Sequence, residues 1–511
     1  MDKVIIGVEP PGIEDVVDVA KHGRKVEIAP QVRRLIETGR AQVERLVENE
    51  EVVYGITTGF GKFSDSHIST QLSEQLQRNL IRSHAVAVGD KLEDEVVRAA
   101  MFLRAVALAR GHSGVRPEVV QLLVDMLNQG VIPRVPSQGS LGASGDLAPL
   151  AHIASVMIGE GQAWVQGQFL DGDDALHLVN LEPITLKAKE GLALINGTQL
   201  MTALGILAYS EGECLYRSSN AIAALTLESL RGIKEAFDQR IARLRGHPGQ
   251  LDVAERIRQL IRGSEFVTTQ GQLRVQDPYA LRCIPQVHGA VRDGLNYVQQ
   301  ILSREINAVT DNPLLFPESD EVLSGGNFHG EPLAFGCDHM SLILCELGNI
   351  SERRTERLLN PAYSEGLPAF LTNQGGLNSG LMIAQYTAAS LTSENKLLAN
   401  PASADTIPSS AGQEDHVSMG TTGARRARQV VFNLSRILAV EAIAAAQAVQ
   451  LRREKMKEQS GTRRLGEGTQ LTLQWIRRHV KSVEQDRSLS DEIELLADNL
   501  RSGQLFKALQ I

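Results

Sequence analysis

Two stretches limit what this chain can become. Residues 197–232, "GTQLMTALGILAYSEGECLYRSSNAIAALTLESLRG", and 427–458, "ARQVVFNLSRILAVEAIAAAQAVQLRREKMKE", are long, rich in Ala and Leu, and apolar on most faces. A helix that is apolar all round has to be buried. Two of them predict a central helical bundle, with burial against other copies of the chain. Helical periodicity continues elsewhere. Val32, Leu35, Ile36, Val43, Leu46 and Val47 fall near one stripe of residues 31–50, and residues 94–111 read as a helix with Gly111 as its C-cap. "QAWVQGQFLDG" (162–172) reads as one small hairpin, and strands are otherwise scarce. The expected fold class is mainly α, with an N-terminal globular helical region (1–196) merging into a long-helix bundle and C-terminal helices (197–511).

Bulk properties narrow the partners. Of 511 residues, Lys and Arg number 52 and Asp and Glu 61, for a net charge of −9. Nucleic-acid binding needs a basic surface, so no nucleic-acid partner is expected. No basic segment followed by a long apolar run opens the sequence, and no apolar run long enough to span a bilayer is apparent, so no membrane is expected either. The four cysteines, Cys214, Cys283, Cys337 and Cys345, form no C-x-x-C pair. A reducing, cytoplasmic setting is the simplest expectation.

The loops between helices are less ordinary, above all "GSLGASGDLAPLAH" (139–152). Gly-Ala-Ser-Gly buries little and costs backbone entropy. Asp146 could cap the helix that follows, with Pro149 in its first turn. Bare amides at a helix start could also bind an anion. A nucleophile elbow fails, because Asp146 takes the last Gly position and no strand precedes. The fourth reading is chemical. If the Gly145 nitrogen meets the Ala143 carbonyl, a five-membered ring can close, and the Ser144 hydroxyl can leave as water. Loss of two waters gives a methylidene-imidazolone, an electrophile that no standard side chain supplies.

That loop stands with "YGITTGFG" (54–61), "LINGTQ" (194–199), "QDPYALR" (276–282), "SGGNFHGEP" (324–332) and "QEDHVSM" (413–419). Together these resemble the aromatic amino acid ammonia-lyases, from about residue 50 to 450. The resemblance implies a fumarase/aspartase-like helical fold assembled as a homotetramer, with each site shared between subunits. It implies that Ala143-Ser144-Gly145 forms 4-methylidene-imidazol-5-one autocatalytically, with no external cofactor and no metal. It assigns Tyr54 as the base that takes a β-proton of the substrate, from a glycine-bearing loop able to act as a lid. Against an ordinary phenol pKa near ~10, such a base needs a site that favours the phenolate. A phosphate-binding reading of this loop fails at Ile56 and Phe63.

The resemblance further implies that Arg282 clamps the substrate carboxylate with a bidentate fork. Tyr279, one helical turn earlier, and Gln276 belong to the same cluster. Asn196 would hydrogen-bond the electrophile's oxygen, and Phe328 would wall the ring pocket. Within the family, His84 and Glu414 resemble the members that act on histidine. Glu414 would accept the substrate imidazole N–H, with His84 beside it. A phenyl ring would leave that carboxylate unpaired, at a cost of roughly 1–3 kcal/mol or more. "QEDH" as a metal motif lacks evident further ligands. The expected reaction is L-histidine to trans-urocanate and ammonia. The alternatives are a tyrosine or phenylalanine lyase, or an aromatic 2,3-aminomutase, using the same group. Thr57 and Gly412 both stand where the members that act on histidine mostly carry Asn.

Overall fold

Both long apolar stretches are helices, Gln199–Ser229 and Gly420–Ser460, in a computed structural model that describes residues 3–59, 61, 69–460 and 463–509. Two further long helices, Ile284–Glu305 and Glu331–Leu359, complete the mainly α architecture. Ile222, Leu225, Ile437 and Leu438 are wholly buried inside the single chain. These four positions need no second copy to cover them. Gly420–Ser460 contains a stretch long and apolar enough to cross a membrane, but most of it is buried within the fold, as a core helix is.

Two compact units divide the chain. The first comprises Met1–Leu207, Gln299–Asp338 and Pro401–Arg425, and the second Ala208–Val298, His339–Asn400 and Arg426–Ile511. In the first, the helices Ser73–His84, Leu147–Met157 and Glu190–Ile195 pack on one another. Gly191 lets two of them approach. Its N–H donates to Gln77 Oε1 (2.8 Å), and a Cβ there would lie 2.8 Å from the same oxygen. Val43, Ile56, Ala188 and Leu315 form a buried cluster, so Ile56 anchors the segment that carries Tyr54.

The expected hairpin is present. Gln162–Val165 pairs antiparallel with Gln168–Asp171 through Gln166 and Gly167, both at positive φ (48° and 78°), as a primed two-residue turn requires. Ile132–Pro133 adds a third strand, and three other two-stranded sheets are present among the described residues. The helix over 94–111 ends earlier than expected, at Leu108, with Ala109 as its cap. Gly111 serves instead as a contact point at φ +80°. Its carbonyl oxygen would lie 2.0 Å from a Cβ on Gly39 of the helix Pro30–Glu48, and its own Cβ would meet Leu35 O at 2.7 Å.

The second unit holds a buried polar network. Glu441 receives bonds from Arg354, Thr226 and Ser351, and neither member of the Arg354–Glu441 ion pair is exposed. Arg354 also donates to His288 Nε2 (3.3 Å), while His288 Nδ1 donates to Asn220 Oδ1 (3.0 Å). These bonds require neutral imidazole, and burial holds the His288 pKa well below its ordinary value.

Candidate active site

The three packed helices of the first unit bring candidate residues to one place. His84 ends the first, the Ala143-Ser144-Gly145 loop leads into the second, and Asn196 caps the C-terminus of the third. The loop's backbone explains its glycines. Gly142 and Gly145 sit at φ +68° and +72°, a region that side-chain-bearing residues avoid. A Cβ on Gly145 would fall 2.1 Å from Gly197 O. That same oxygen accepts the Asp146 N–H at 2.7 Å. From the other side, Ser418 Oγ donates to Gly142 O (3.0 Å) and Met419 N to Leu141 O (2.9 Å).

Asp146 does not cap its helix through its side chain, contrary to the simplest reading of the sequence. Its carboxylate turns inward and accepts from Ser140 Oγ (2.9 Å), Thr421 Oγ1 and the Met201 N–H (2.9 Å). Burial raises its pKa against these bonds. The residue therefore fastens the Ala143-Ser144-Gly145 loop to the segments that follow Gly197 and Gly420. A tripeptide compressed on both sides, with Gly where a Cβ cannot fit, suits the cyclised group.

Ser144 opens onto a cavity of about 1140 Å³, which Tyr54, His84, Asn196, Phe328 and Glu414 also line. Ser144 Oγ donates to Glu414 Oε1 (3.1 Å) and Ser409 Oγ to Glu414 Oε2 (3.0 Å). Glu414 is presented by a tight loop in which Ser410, Ala411 and Gly412 all have positive φ, closed by Ser409 and Glu414 as an antiparallel bridge. Two non-glycine residues held there store strain, as functional loops often do. Gly412 takes this conformation with open space around it, and Thr57 accepts the Val53 N–H (2.9 Å) and donates to Glu51 O. Both departures from the family pattern are thus locally satisfied.

The titratable groups of the cavity carry opposite shifts. His84 Nδ1 donates to Leu80 O (2.8 Å), which leaves Nε2 as an acceptor. Burial lowers its pKa, with the Leu80 bond and Glu414 opposing. Tyr54 Oη accepts the Gly61 N–H (3.4 Å). Burial raises its pKa, the Gly61 bond lowers it, and Glu414 and Asp311 raise it further. The surroundings within the first unit thus disfavour the phenolate that the resemblance asks for. Residues 60 and 62–63 of this loop lie outside the described residues.

Gln276, Tyr279 and Arg282 belong to the second unit. Tyr279–Arg282 is a single helical turn, as the spacing predicts. The Arg282 guanidinium lies 4.7 Å from the Tyr279 ring centre, and Tyr279 is 70% exposed. Several residues of the site carry no sequence signal. Ser409 shares the Glu414 carboxylate, and a buried pair, Lys189 and Asp311 (2.8 Å, both unexposed), lies behind Asn196. His329, Glu331 and His416 bring one ligand atom each within 4.8 Å of one another. His329 Nδ1 already accepts the Glu331 N–H (3.3 Å).

Known proteins resemble this chain over nearly its whole length. A sequence model of the aromatic amino acid lyases matches residues 12–477. A histidine ammonia-lyase of Symbiobacterium thermophilum is 55% identical over 498 residues, 98% of this chain and 96% of that one. The crystal structure of histidine ammonia-lyase from Trypanosoma cruzi superposes with a TM-score of 0.91 at 41% identity, covering 100% of this chain and 95% of the other. A tyrosine aminomutase from Streptomyces globisporus superposes at 0.94 with 37% identity, covering 100% and 98%.

Proposed function

The chain belongs to the aromatic amino acid lyase family, and from that premise we propose that it converts L-histidine to trans-urocanate and ammonia. The observation that carries the choice of substrate is the Glu414 carboxylate at the cavity wall, held by two hydroxyls and no cation among the described residues. One of those hydroxyls is that of Ser144. When it leaves as water during ring closure, Glu414 Oε1 is released to accept the N–H of an imidazole. Phenyl and phenol rings offer no N–H there. Neutral His84 adds an acceptor at Nε2, and Phe328 offers an apolar wall for the ring.

Ala143-Ser144-Gly145 would form the methylidene-imidazolone, which would supply an electron-poor alkene at the cavity wall where Ser144 now stands. The remaining work falls to side chains. Tyr54 Oη accepts the β-proton as the Cα–N bond breaks and the Cα–Cβ double bond forms. Arg282 receives the carboxylate, with Tyr279 and Gln276 beside it. Exposure of Tyr279 supports a homotetramer in which a neighbouring copy supplies this cluster. A guanidinium delivered in that way would also offset the burial that now disfavours the Tyr54 phenolate. A cytoplasmic setting agrees with four cysteines of which none is in a disulfide.

Incubation with L-histidine, L-tyrosine and L-phenylalanine tests this, with products resolved by absorbance and mass. Urocanate and ammonia from histidine alone is the expected result. Cinnamate-type or β-amino acid products from tyrosine or phenylalanine, with histidine untouched, would overturn the role given to Glu414.

A further inference from the structure

The orientation of Asn196 points to a partner different from the one the resemblance implies. The residue is 3% exposed and lines the cavity beside Ser144. The amide nitrogen donates to Asp311 Oδ1 (3.1 Å) and to Asn312 O (3.2 Å). Both are obligate acceptors, so the carboxamide cannot turn over without setting its own oxygen against a carboxylate and a carbonyl. Asp311 is fixed in turn. Its Oδ1 also accepts the Asn312 N–H (2.7 Å), and Lys189 Nζ donates to Oδ2 (2.8 Å). The backbone of Asn196 is held as well, its N–H by Leu192 O (2.9 Å) and its carbonyl by Arg104 Nη1 (2.7 Å).

With both hydrogens of the amide used, Asn196 Oδ1 remains buried with no hydrogen-bond partner among the described residues. A buried carbonyl oxygen left unpaired costs free energy until a donor arrives. An oxygen cannot donate to the oxygen of the electrophile. The one donor-rich group of the substrate that must come to rest against Ser144 is its amino group. We propose that Asn196 Oδ1 accepts an N–H from the substrate's amino group, and that Asp311 and Lys189 are positioning residues that hold the carboxamide in this sense. The inference rests on the histidine reading of the cavity.

Affinity separates amine recognition from structural support. In a Ser144→Ala background, which cannot form the ring or turn over, binding of L-histidine and of imidazole-4-propionate, its des-amino analogue, is measured by calorimetry. Adding Asn196→Ser is expected to weaken L-histidine about 10-fold or more, as for a lost hydrogen bond to a charged group. The des-amino analogue should hold within about 2-fold. The paired Asp311→Asn/Lys189→Met variant leaves no lone buried charge and is expected to show the same selective loss. It also supplies the reading if Asn196→Ser does not fold. Equal losses for both ligands, or no loss for either, would overturn the proposal while leaving the histidine pocket standing. Failure of the Ser144→Ala parent to bind either ligand would overturn the histidine reading itself, and this inference with it.

Discussion

The chemistry assigned to Tyr54 and Glu414 depends on charge states that single substitutions can test. Burial raises the Tyr54 phenol above its ordinary value of 10.0, and only the deprotonated form can accept a proton. The kcat/KM for histidine should therefore climb with pH as Tyr54 loses its proton. Tyr54→Phe should lower kcat by about 10²- to 10⁴-fold and flatten that climb, as loss of a general base does. A pH–rate series on both proteins checks it. Glu414→Gln keeps the shape but removes the charge that strengthens the imidazole bond. It should lower kcat/KM for histidine by about 10- to 100-fold without lowering any residual turnover of tyrosine, measured side by side. Both residues were legible in the sequence because their motifs are local. The Lys189–Asp311 pair was not. Its members lie 122 positions apart, and Lys189 carries no signal beyond being a lysine in a loop.

At the scale of elements, the loop that carries Ala143-Ser144-Gly145 depends on helix ends meeting closely. Gly197 sits at φ +148°, and a Cβ there would lie 2.5 Å from Arg104 Nη1, Gln199 Oε1 and Thr310 O. Gly197→Ala should cost about 1–3 kcal/mol through overpacking and reduce the fraction of protein whose 139–152 segment has lost water. Calorimetry and peptide mass measure the two effects. Helix existence was readable from periodicity, as with Pro30–Glu48. Helix ends were less so. Gly111 looked like a cap but is a contact between elements, and Asp146 looked like a cap but is a buried fastener. In both cases tertiary packing overrode a local preference that the sequence states correctly. The His288 network adds a pH test of its own. Its folded-state pKa lies well below 6.5, so neutral His288 supports the fold above that value, and the support is lost as pH falls below it. Thermal unfolding between about pH 7 and pH 5 should show a falling midpoint, and His288→Asn should blunt the slope.

For the whole molecule, composition carried little beyond the expectation of no nucleic-acid partner, whereas the two long apolar stretches anticipated the helical architecture. The proposed homotetramer draws on the family resemblance and on Tyr279, which is 70% exposed. Residues 299–338 and 401–425 return to the first unit, which is how Phe328 and Glu414 reach the cavity. No periodicity along the chain encodes that return. The central claim is that this chain makes its own electrophile from residues 143–145, and the intact mass of the purified protein tests it most directly. Wild type should weigh two waters less than its sequence and Ser144→Ala should not lose both, with the missing mass mapping to the peptide spanning 139–152. Wild-type protein at its full sequence mass that still deaminates histidine would contradict it.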